Sequence, residues 1–244
     1  MGELRLSFGN AAADYERGRP DWPDEVACVG DLPEEAEVLD LGAGTGKLTR
    51  LLVPRFARVV AVEPDDAMRD VLATSLPGVA ALPGRAEQVP VADAGVDAVL
   101  VGQAWHWFDH ARAAAEVRRI VRPGGCIALL YNVRDERTPW VRRFDVATGE
   151  EFGTELEPPE FDGVRGAPGF GPVEREVFDH VERLQADDLR ALASSFSFVS
   201  LLPEAERAAM LVTVDAVARD AAGPDGTLAL PYRLVVVRAV VGIP

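Results

Sequence analysis

The most informative segment of this 244-residue chain reads Val38-Leu39-Asp40-Leu41-Gly42-Ala43-Gly44-Thr45-Gly46-Lys47. A short apolar run comes first, three glycines follow at alternate positions, and helical spacing of apolar residues begins at Lys47. Glycines let the backbone turn tightly and approach a ligand with no Cβ in the way. The N-terminus of the following helix would offer free N–H groups and a partial positive charge. The segment therefore predicts a strand, a ligand-binding turn and a helix.

Two well-known phosphate-binding turns differ from this one in spacing. The nicotinamide fingerprint is G-x-G-x-x-G, whereas here the third glycine comes one residue early and the pattern is D-x-G-x-G-x-G. A P-loop requires G-K-[ST], but Lys47 is followed by Leu48. The spacing disfavours a nucleotide-dependent oxidoreductase and excludes a Walker-type site.

Apolar runs and helical patterns alternate along the first half of the chain. The expected buried strands are Val38–Leu41, Arg58–Val62, Val96–Val101 and Cys126–Tyr131. The expected helices are Lys47–Phe56, Asp65–Leu76 with Asp65 as N-cap, and Asp109–Val121, which Arg122-Pro123-Gly124-Gly125 should stop. This alternation predicts right-handed βαβ units in a doubly wound, largely parallel α/β sheet.

The second half of the chain has a different character. Glu150–Pro172 is rich in proline, glycine and acidic residues, so it is expected to be a loop, either a lid or a disordered excursion. A strand is expected at Val173–Leu184, helices at Gln185–Leu202 and Pro203–Ala222, and a last strand at Leu230–Val241. Because no segment resembles a linker, we expect one domain over 1–244.

An acidic residue, Glu63, ends the second predicted strand. A carboxylate at this place accepts hydrogen bonds from two ribose hydroxyls in dinucleotide sites. A solvated strand end is the alternative interpretation of Glu63 alone, but its distance from the glycine turn favours ribose binding.

These motifs together resemble those of class I S-adenosylmethionine-dependent methyltransferases. The similar segments are 38–46, Val60–Pro64, Gly84–Pro90, Val96–Phe108 and Arg122–Gly125. Within that superfamily the chain is most similar to small-molecule enzymes with an H-W-F/Y-D segment, including trans-aconitate methyltransferase-like proteins. Segments that fit this group are Tyr15–Pro20, Ser194–Ser197 and Leu230–Tyr232.

The resemblance implies a Rossmann-like fold with seven strands and helices on both faces of the sheet. The sheet would be mostly parallel, with an antiparallel last strand inserted through a hairpin with the sixth. The single domain would comprise an N-terminal lid (1–32), a cofactor-binding half (36–131) and a substrate-side half with inserted helices (132–244).

The resemblance also implies S-adenosyl-L-methionine as the cofactor. The glycines would hold its methionine moiety, Asp40 its amino group directly or through water, Glu63 its ribose, and Ala86 and Glu87 its adenine. Met68 would flank the cofactor, with plain helix packing as the alternative. The complete expected set is Asp40, Gly42, Ala43, Gly44, Gly46, Glu63, Pro64, Met68, Ala86, Glu87 and Gln103.

Methyl transfer is an in-line displacement on an activated carbon, so alignment and exclusion of water can supply much of the rate. A base is needed only when the acceptor must lose a proton. His106 is the candidate base, although it could instead only hydrogen-bond within an aromatic wall. The residues expected to bind the acceptor are Tyr15, Arg19, Trp105, His106 and Trp107.

A carboxylate acceptor would need no base but would need an arginine. Arg17, Arg19 and Arg134 are the candidates for that clamp. No metal is expected, because His106, His110 and His180 have no ligand spacing with cysteine or a second acid.

Composition limits the partners. Forty acidic against 25 basic residues give a formal charge of −15, which disfavours nucleic acid, RNA in particular, and anionic membranes. The absence of a long apolar run or signal peptide, with only Cys28 and Cys126, favours the cytoplasm. The resemblance to small-molecule enzymes implies a small organic acceptor. The oligomeric state stays open, and a cofactor-binding protein with a regulatory or non-methylating role is the alternative.

Overall fold

The computed structural model describes residues 21–23, 26, 32–149, 164–196 and 198–242. Seven strands form one sheet in these residues. They are β1 (Glu37–Leu41), β2 (Arg58–Val62), β3 (Ala80–Leu82), β4 (Val96–Gly102), β5 (Val121–Arg134), β6 (Phe170–Gln185) and β7 (Thr227–Val241).

The strand order is β3-β2-β1-β4-β5-β7-β6. β1 pairs in parallel with β2 and β4, β2 with β3, and β4 with β5. The β5-β7-β6 end is antiparallel. This confirms the Rossmann-like sheet and the insertion of the last strand, and two helices connect β6 to β7, as the sequence predicts.

Six α-helices lie between the strands in the described residues. They are α1 (Lys47–Leu52), α2 (Asp66–Ser75), α3 (His110–Ile120), α4 (Pro139–Thr148), α5 (Ala186–Ser194) and α6 (Glu204–Ala221), with short 3-10 helices at Trp105–Trp107 and Val199–Leu201. Asp65 caps α2 as predicted, because its Oδ1 accepts a hydrogen bond from the Met68 N–H at 3.0 Å.

Several boundaries differ from the sequence prediction. α1 ends four residues before Phe56, and α3 ends at Ile120, ahead of the Pro-Gly-Gly segment that was expected to stop it. That segment belongs to β5, where the register against β4 shifts between Val96 and Ala98. Of the predicted 150–172 loop, 150–163 lies outside the described residues, and β6 begins at Phe170, three residues earlier than expected.

The chain divides into two compact units. In the described residues the larger unit comprises 22–23, 26, 32–131, 164–178 and 234–242, and the smaller one 21, 132–149, 179–196 and 198–233. The larger unit packs α1 on the central strands through a core that includes Val38, Leu52, Leu100 and Leu130. The smaller unit is mainly helical, and α4, α5 and α6 enclose Phe144, Leu192, Phe196 and Val214.

Candidate active site

The glycine turn between β1 and α1 is anchored on the end of β2. The N–H groups of Gly42 and Ala43 both donate to the Val62 carbonyl, at 2.9 and 3.1 Å. Gly42, Gly44 and Gly46 have φ angles of 74°, 57° and 90°. Because side chains other than glycine rarely adopt this region, the three glycines are required by the backbone path.

The surroundings of the three glycines differ. A Cβ on Gly42 would lie 2.8 Å from the Cβ of Ala104, and one on Gly46 would lie 2.8 Å from the Cγ of Leu72. At Gly44 an added Cβ would meet only the Met68 sulfur, at 3.8 Å. The outer glycines therefore pack against protein, whereas the Cβ position of Gly44 faces only the buried Met68 side chain among the described residues.

Asp40 lies near the carboxyl end of β1 with only 1% of its surface exposed. Its Oδ2 accepts a hydrogen bond from the Thr49 hydroxyl at 2.6 Å, whereas Oδ1 has no hydrogen-bond partner in the described part of the chain. Burial, with a smaller contribution from the Glu63 charge, raises the pKa of Asp40 to about 7 against the lowering effect of Thr49. A buried acceptor of this kind suits a cationic or hydrogen-bonding ligand.

Glu63 follows β2 and is also buried. Its Oε2 accepts from the Gly44 N–H and its Oε1 from the Asp65 N–H, both at 2.9 Å. Burial raises the pKa of Glu63, while these two N–H groups and Arg69 oppose the increase. Arg69 also donates to the Glu63 carbonyl at 2.9 Å. The carboxylate is thus held in one orientation beside the glycine turn by contacts within the protein.

The segment expected to contact adenine is attached to α3. Ala86 is buried, and Oε1 of Glu87 accepts from the N–H of Asp109, the N-cap of α3, at 2.8 Å. Further along, Arg119 donates to the carbonyls of Val89 and Val91 at 3.0 and 2.8 Å. These contacts connect the segment after β3 to the segment that follows β4.

Gln103 stands directly after β4 with a φ of 55°. Its N–H donates to the Leu130 carbonyl at 3.0 Å, which ties this conformation to β5. A left-handed conformation at a non-glycine residue costs about 1–3 kcal/mol and is concentrated at functional sites. The strain marks the carboxyl end of β4 as a position where side-chain placement matters.

The aromatic residues after β4 occupy different environments. Trp105 is fully buried, with Phe108 edge-on at 5.7 Å and His110 stacked on it at 5.6 Å between ring centroids. His106 is exposed, and its ring lies 5.0 Å from that of the half-buried Trp107. Trp105 therefore packs inside the larger unit, while His106 and Trp107 are on the accessible side of the 3-10 helix.

The remaining predicted residues fall into three groups. Tyr15, Arg17 and Arg19 are outside the described residues, and Pro64 is exposed at the end of β2. Arg134 belongs to the smaller unit, where its Nε donates to the buried Asp145 at 2.5 Å. Within the described ranges no group of three or more histidine, cysteine or acidic side chains could hold a metal ion, and no helix there could span a membrane.

Sequence reasoning did not single out Thr49, Arg69 or the contact between Glu87 and Asp109. Thr49 carried one usable signal, because it is the only polar residue among the buried positions of α1. The other contacts depend on how loops far apart in sequence meet, which residue spacing does not show.

A seven-stranded sheet with its last strand inserted, together with a D-x-G-x-G-x-G turn and an acidic residue after β2, defines the class I methyltransferase fold. Residues 39–129 match the family model described as a methyltransferase domain. A protein of Mycobacterium tuberculosis (strain ATCC 25618 / H37Rv), described as an uncharacterized methyltransferase, is 45% identical over 97% of this chain and 96% of its own length. The chain belongs to this family and is a class I S-adenosylmethionine-dependent methyltransferase.

Two further similarities bear on the fold and on the first half of the chain. The solved structure of a candidate type II methyltransferase from Anaeromyxobacter dehalogenans is 26% identical, with a TM-score of 0.65 over 91% of this chain and 97% of that one. The malonyl-[acyl-carrier protein] O-methyltransferase of Methylococcus capsulatus (strain ATCC 33009 / NCIMB 11132 / Bath) is 36% identical over 50% of this chain and 49% of its own length.

Proposed function

We propose that this protein binds S-adenosyl-L-methionine at the carboxyl ends of β1 and β2 and transfers its methyl group to a small organic acceptor by in-line displacement. The observation that carries the proposal is the pair of buried carboxylates, Asp40 and Glu63, on either side of a glycine turn. Open α/β sheets bind ligands at this edge of the sheet.

The residues present fit the cofactor. The unsatisfied Oδ1 of Asp40 matches the ammonium group of the methionine moiety, directly or through a water. Each Glu63 oxygen accepts one backbone N–H and retains acceptor capacity for a ribose hydroxyl. The backbone at Gly44 would approach the methionine moiety beside Met68, and Ala86 and Glu87 would frame the adenine.

The bound cofactor supplies a methyl group already activated by its sulfonium. The chain's own contribution is to fix the donor and align the acceptor. Gln103, His106 and Trp107, which follow β4, would line the acceptor side, whereas the fully buried Trp105 would act only through packing. The exposed imidazole of His106 would take a proton from a hydroxyl or amine acceptor. A carboxylate acceptor would make that step unnecessary, with Tyr15 and Arg19 as its proposed contacts.

Two observations support a small acceptor rather than RNA. The formal charge of −15 opposes phosphate-rich partners, although a local cluster of arginines could still bind a small anion. One relative over half of the chain is named for O-methylation of malonyl-[acyl-carrier protein], which supports an oxygen acceptor. The composition supports a cytoplasmic location for the reaction.

The proposal is tested first by cofactor binding. S-adenosylmethionine and S-adenosylhomocysteine should raise the melting temperature, whereas NAD should not. A panel of metabolites with a labelled methyl donor then identifies the acceptor. Absence of a shift with both methyl-cofactor forms would overturn the cofactor assignment. Binding with no transfer to any acceptor would favour the non-methylating alternative.

The role of His106 is tested separately. If His106 removes a proton from the acceptor, His106→Ala should lower turnover at least 100-fold with little change in cofactor affinity. His106→Gln keeps a polar side chain and serves as the control for loss of bulk. Retained turnover in both variants would leave His106 as part of the acceptor wall.

A further inference from the structure

The two oxygens of the Asp40 carboxylate have different environments. Oδ2 accepts from the Thr49 hydroxyl, while Oδ1 has no partner within the described ranges. Thr49 is 0% exposed and Asp40 1%. Because a buried acceptor without a donor destabilises a fold, this arrangement persists at a cost that a hydrogen-bonding ligand would offset.

We propose that Thr49 is a positioning residue for cofactor binding: its hydroxyl holds Oδ2 of Asp40 and so reserves Oδ1, in ionised form, for the ammonium group of the cofactor. This inference rests on the proposed function. It adds a residue that does not touch the cofactor itself and acts only through Asp40.

The geometry supports a donor role for the Thr49 hydroxyl. The 2.6 Å separation between Oγ1 and Oδ2 falls within the 2.5–2.7 Å typical of a hydroxyl bound to an ionised carboxylate. Thr49 is the third residue of α1, and this helix starts directly after the glycine turn. The side chain is therefore fixed by the same helix whose N-terminus borders the site.

Electrostatics explains why this donor matters. Among the described residues, the charged group that acts on Asp40 is Glu63, and Asp65 and Arg69 act on Glu63 in turn. Burial and Glu63 hold the pKa of Asp40 at about 7, and Thr49 is the largest opposing influence. Without the hydroxyl, more of the Asp40 carboxyl would be protonated at neutral pH and could not attract an ammonium group.

The test compares Thr49→Val, which keeps the shape but loses the hydroxyl, with Thr49→Ser, which keeps the hydroxyl. Isothermal titration with S-adenosylhomocysteine from pH 5.5 to 8.5 gives Kd for each protein. In the wild type, affinity should rise with pH and level off above about 7. Thr49→Val should bind about 10-fold more weakly at pH 7 and show its inflection at higher pH, whereas Thr49→Ser should follow the wild type.

The possible results separate this inference from the proposed function. A wild type that binds neither S-adenosylhomocysteine nor S-adenosylmethionine overturns both. Binding by the wild type, with the same Kd and inflection in Thr49→Val, refutes the role of Thr49 alone. Equal weakening in Thr49→Val and Thr49→Ser assigns Thr49 to packing and also refutes it. Thr49→Ala replaces Thr49→Val if thermal unfolding shows that the valine variant does not fold.

Discussion

Two aspartates, each 1% exposed, occupy contrasting environments in the two units. Asp145 in the smaller unit pairs with Arg134, whose guanidinium also lies 5.3 and 5.2 Å from the ring centroids of Phe144 and Phe196. Asp40 in the larger unit has a single neutral donor, Thr49, and one oxygen without a partner in the described chain. A buried carboxylate next to a full cation serves the fold, whereas one bound only by a neutral hydroxyl beside a glycine turn is available to a cationic ligand.

The largest expected effect concerns the paired aspartate. Arg134→Met should lower the stability of the protein by about 3–5 kcal/mol, because it leaves Asp145 buried without its guanidinium. For a chain of this size that corresponds to a fall in melting temperature of roughly 6–20 °C. Thermal unfolding followed by circular dichroism measures the change.

Arg143→Met is the matched control, since Arg143 lies on α4, the helix that carries Asp145, and pairs with Asp220 at 3.1 Å on the surface. Both partners are more than half exposed, so its loss should cost at most about 1 kcal/mol. Equal destabilisation by the two variants would contradict the structural role assigned to the Arg134 pair.

The second-largest expected effect concerns Glu63 in the proposed cofactor site of the larger unit. Glu63→Ala removes the acceptors proposed for two ribose hydroxyls and should weaken S-adenosylhomocysteine binding on the order of 100-fold, since each hydrogen bond to a charged group contributes about 1.5 kcal/mol or more. Titration calorimetry measures Kd. Glu37→Ala is the control and should leave Kd unchanged, because Glu37 is at the amino end of β1, away from the proposed site. Unchanged affinity in Glu63→Ala would refute the ribose assignment.

The third effect tests whether Asp40 is a costly buried charge. Its pKa lies at about 7, above its usual value near 4, so between these values the folded state holds a proton that the unfolded state has released. The contribution of Asp40 to stability therefore falls as pH rises through this window and is constant above it. Between pH 5.5 and 7.0 the fall is roughly 1–2 kcal/mol.

Asp40→Asn removes this titration. Chemical denaturation of ligand-free protein at the two pH values should show a steeper loss of stability in the wild type than in Asp40→Asn, and the difference between the proteins is the quantity of interest. Parallel pH dependence in the two proteins would show that Asp40 is not the group responsible.

How much of the structure the sequence predicts depends on how far apart in sequence the contacting residues lie. β2 has the predicted bounds, and β1 and β4 each extend one residue beyond theirs, because near-continuous apolar runs identify strands buried on both faces. The glycine turn and the acidic Glu63 could be predicted equally well from the sequence, since the local spacing of residues identifies each of them. β3 was missed because its three residues are only partly buried or exposed.

The contacts that join distant segments of the larger unit are not local in this sense. Glu87 meets Asp109 across 22 residues, and Glu37 in β1 accepts from Arg122 across 85. Such pairs depend on strand order and loop path, so residue type and spacing alone do not identify them. The Asp145 pair is closer in sequence, at 11 residues, but an arginine and an aspartate at that spacing are common on solvated surfaces.

The smallest expected effect concerns backbone strain rather than charge. Gln103 and Ala94 are the two non-glycine residues with positive φ in the described chain, at 55° and 48°. Replacing either with glycine should relieve strain and raise stability by about 0.5–1 kcal/mol, because glycine adopts this region without a Cβ clash. That corresponds to roughly 1–4 °C in melting temperature.

The two variants should diverge in function. Gln103 follows β4 in the proposed site, so Gln103→Gly should be more stable than the wild type but impaired in function. Its methyl transfer should be slower, as measured once an acceptor is known, or its cofactor affinity lower if Gln103 contacts the cofactor. Ala94 lies in the loop before β4, so Ala94→Gly should gain stability with both unchanged. If Gln103→Gly also left binding and turnover intact, the strain after β4 would be a feature of the fold alone. The destabilising features that serve a ligand would then be limited to the buried Asp40 carboxylate and its surroundings.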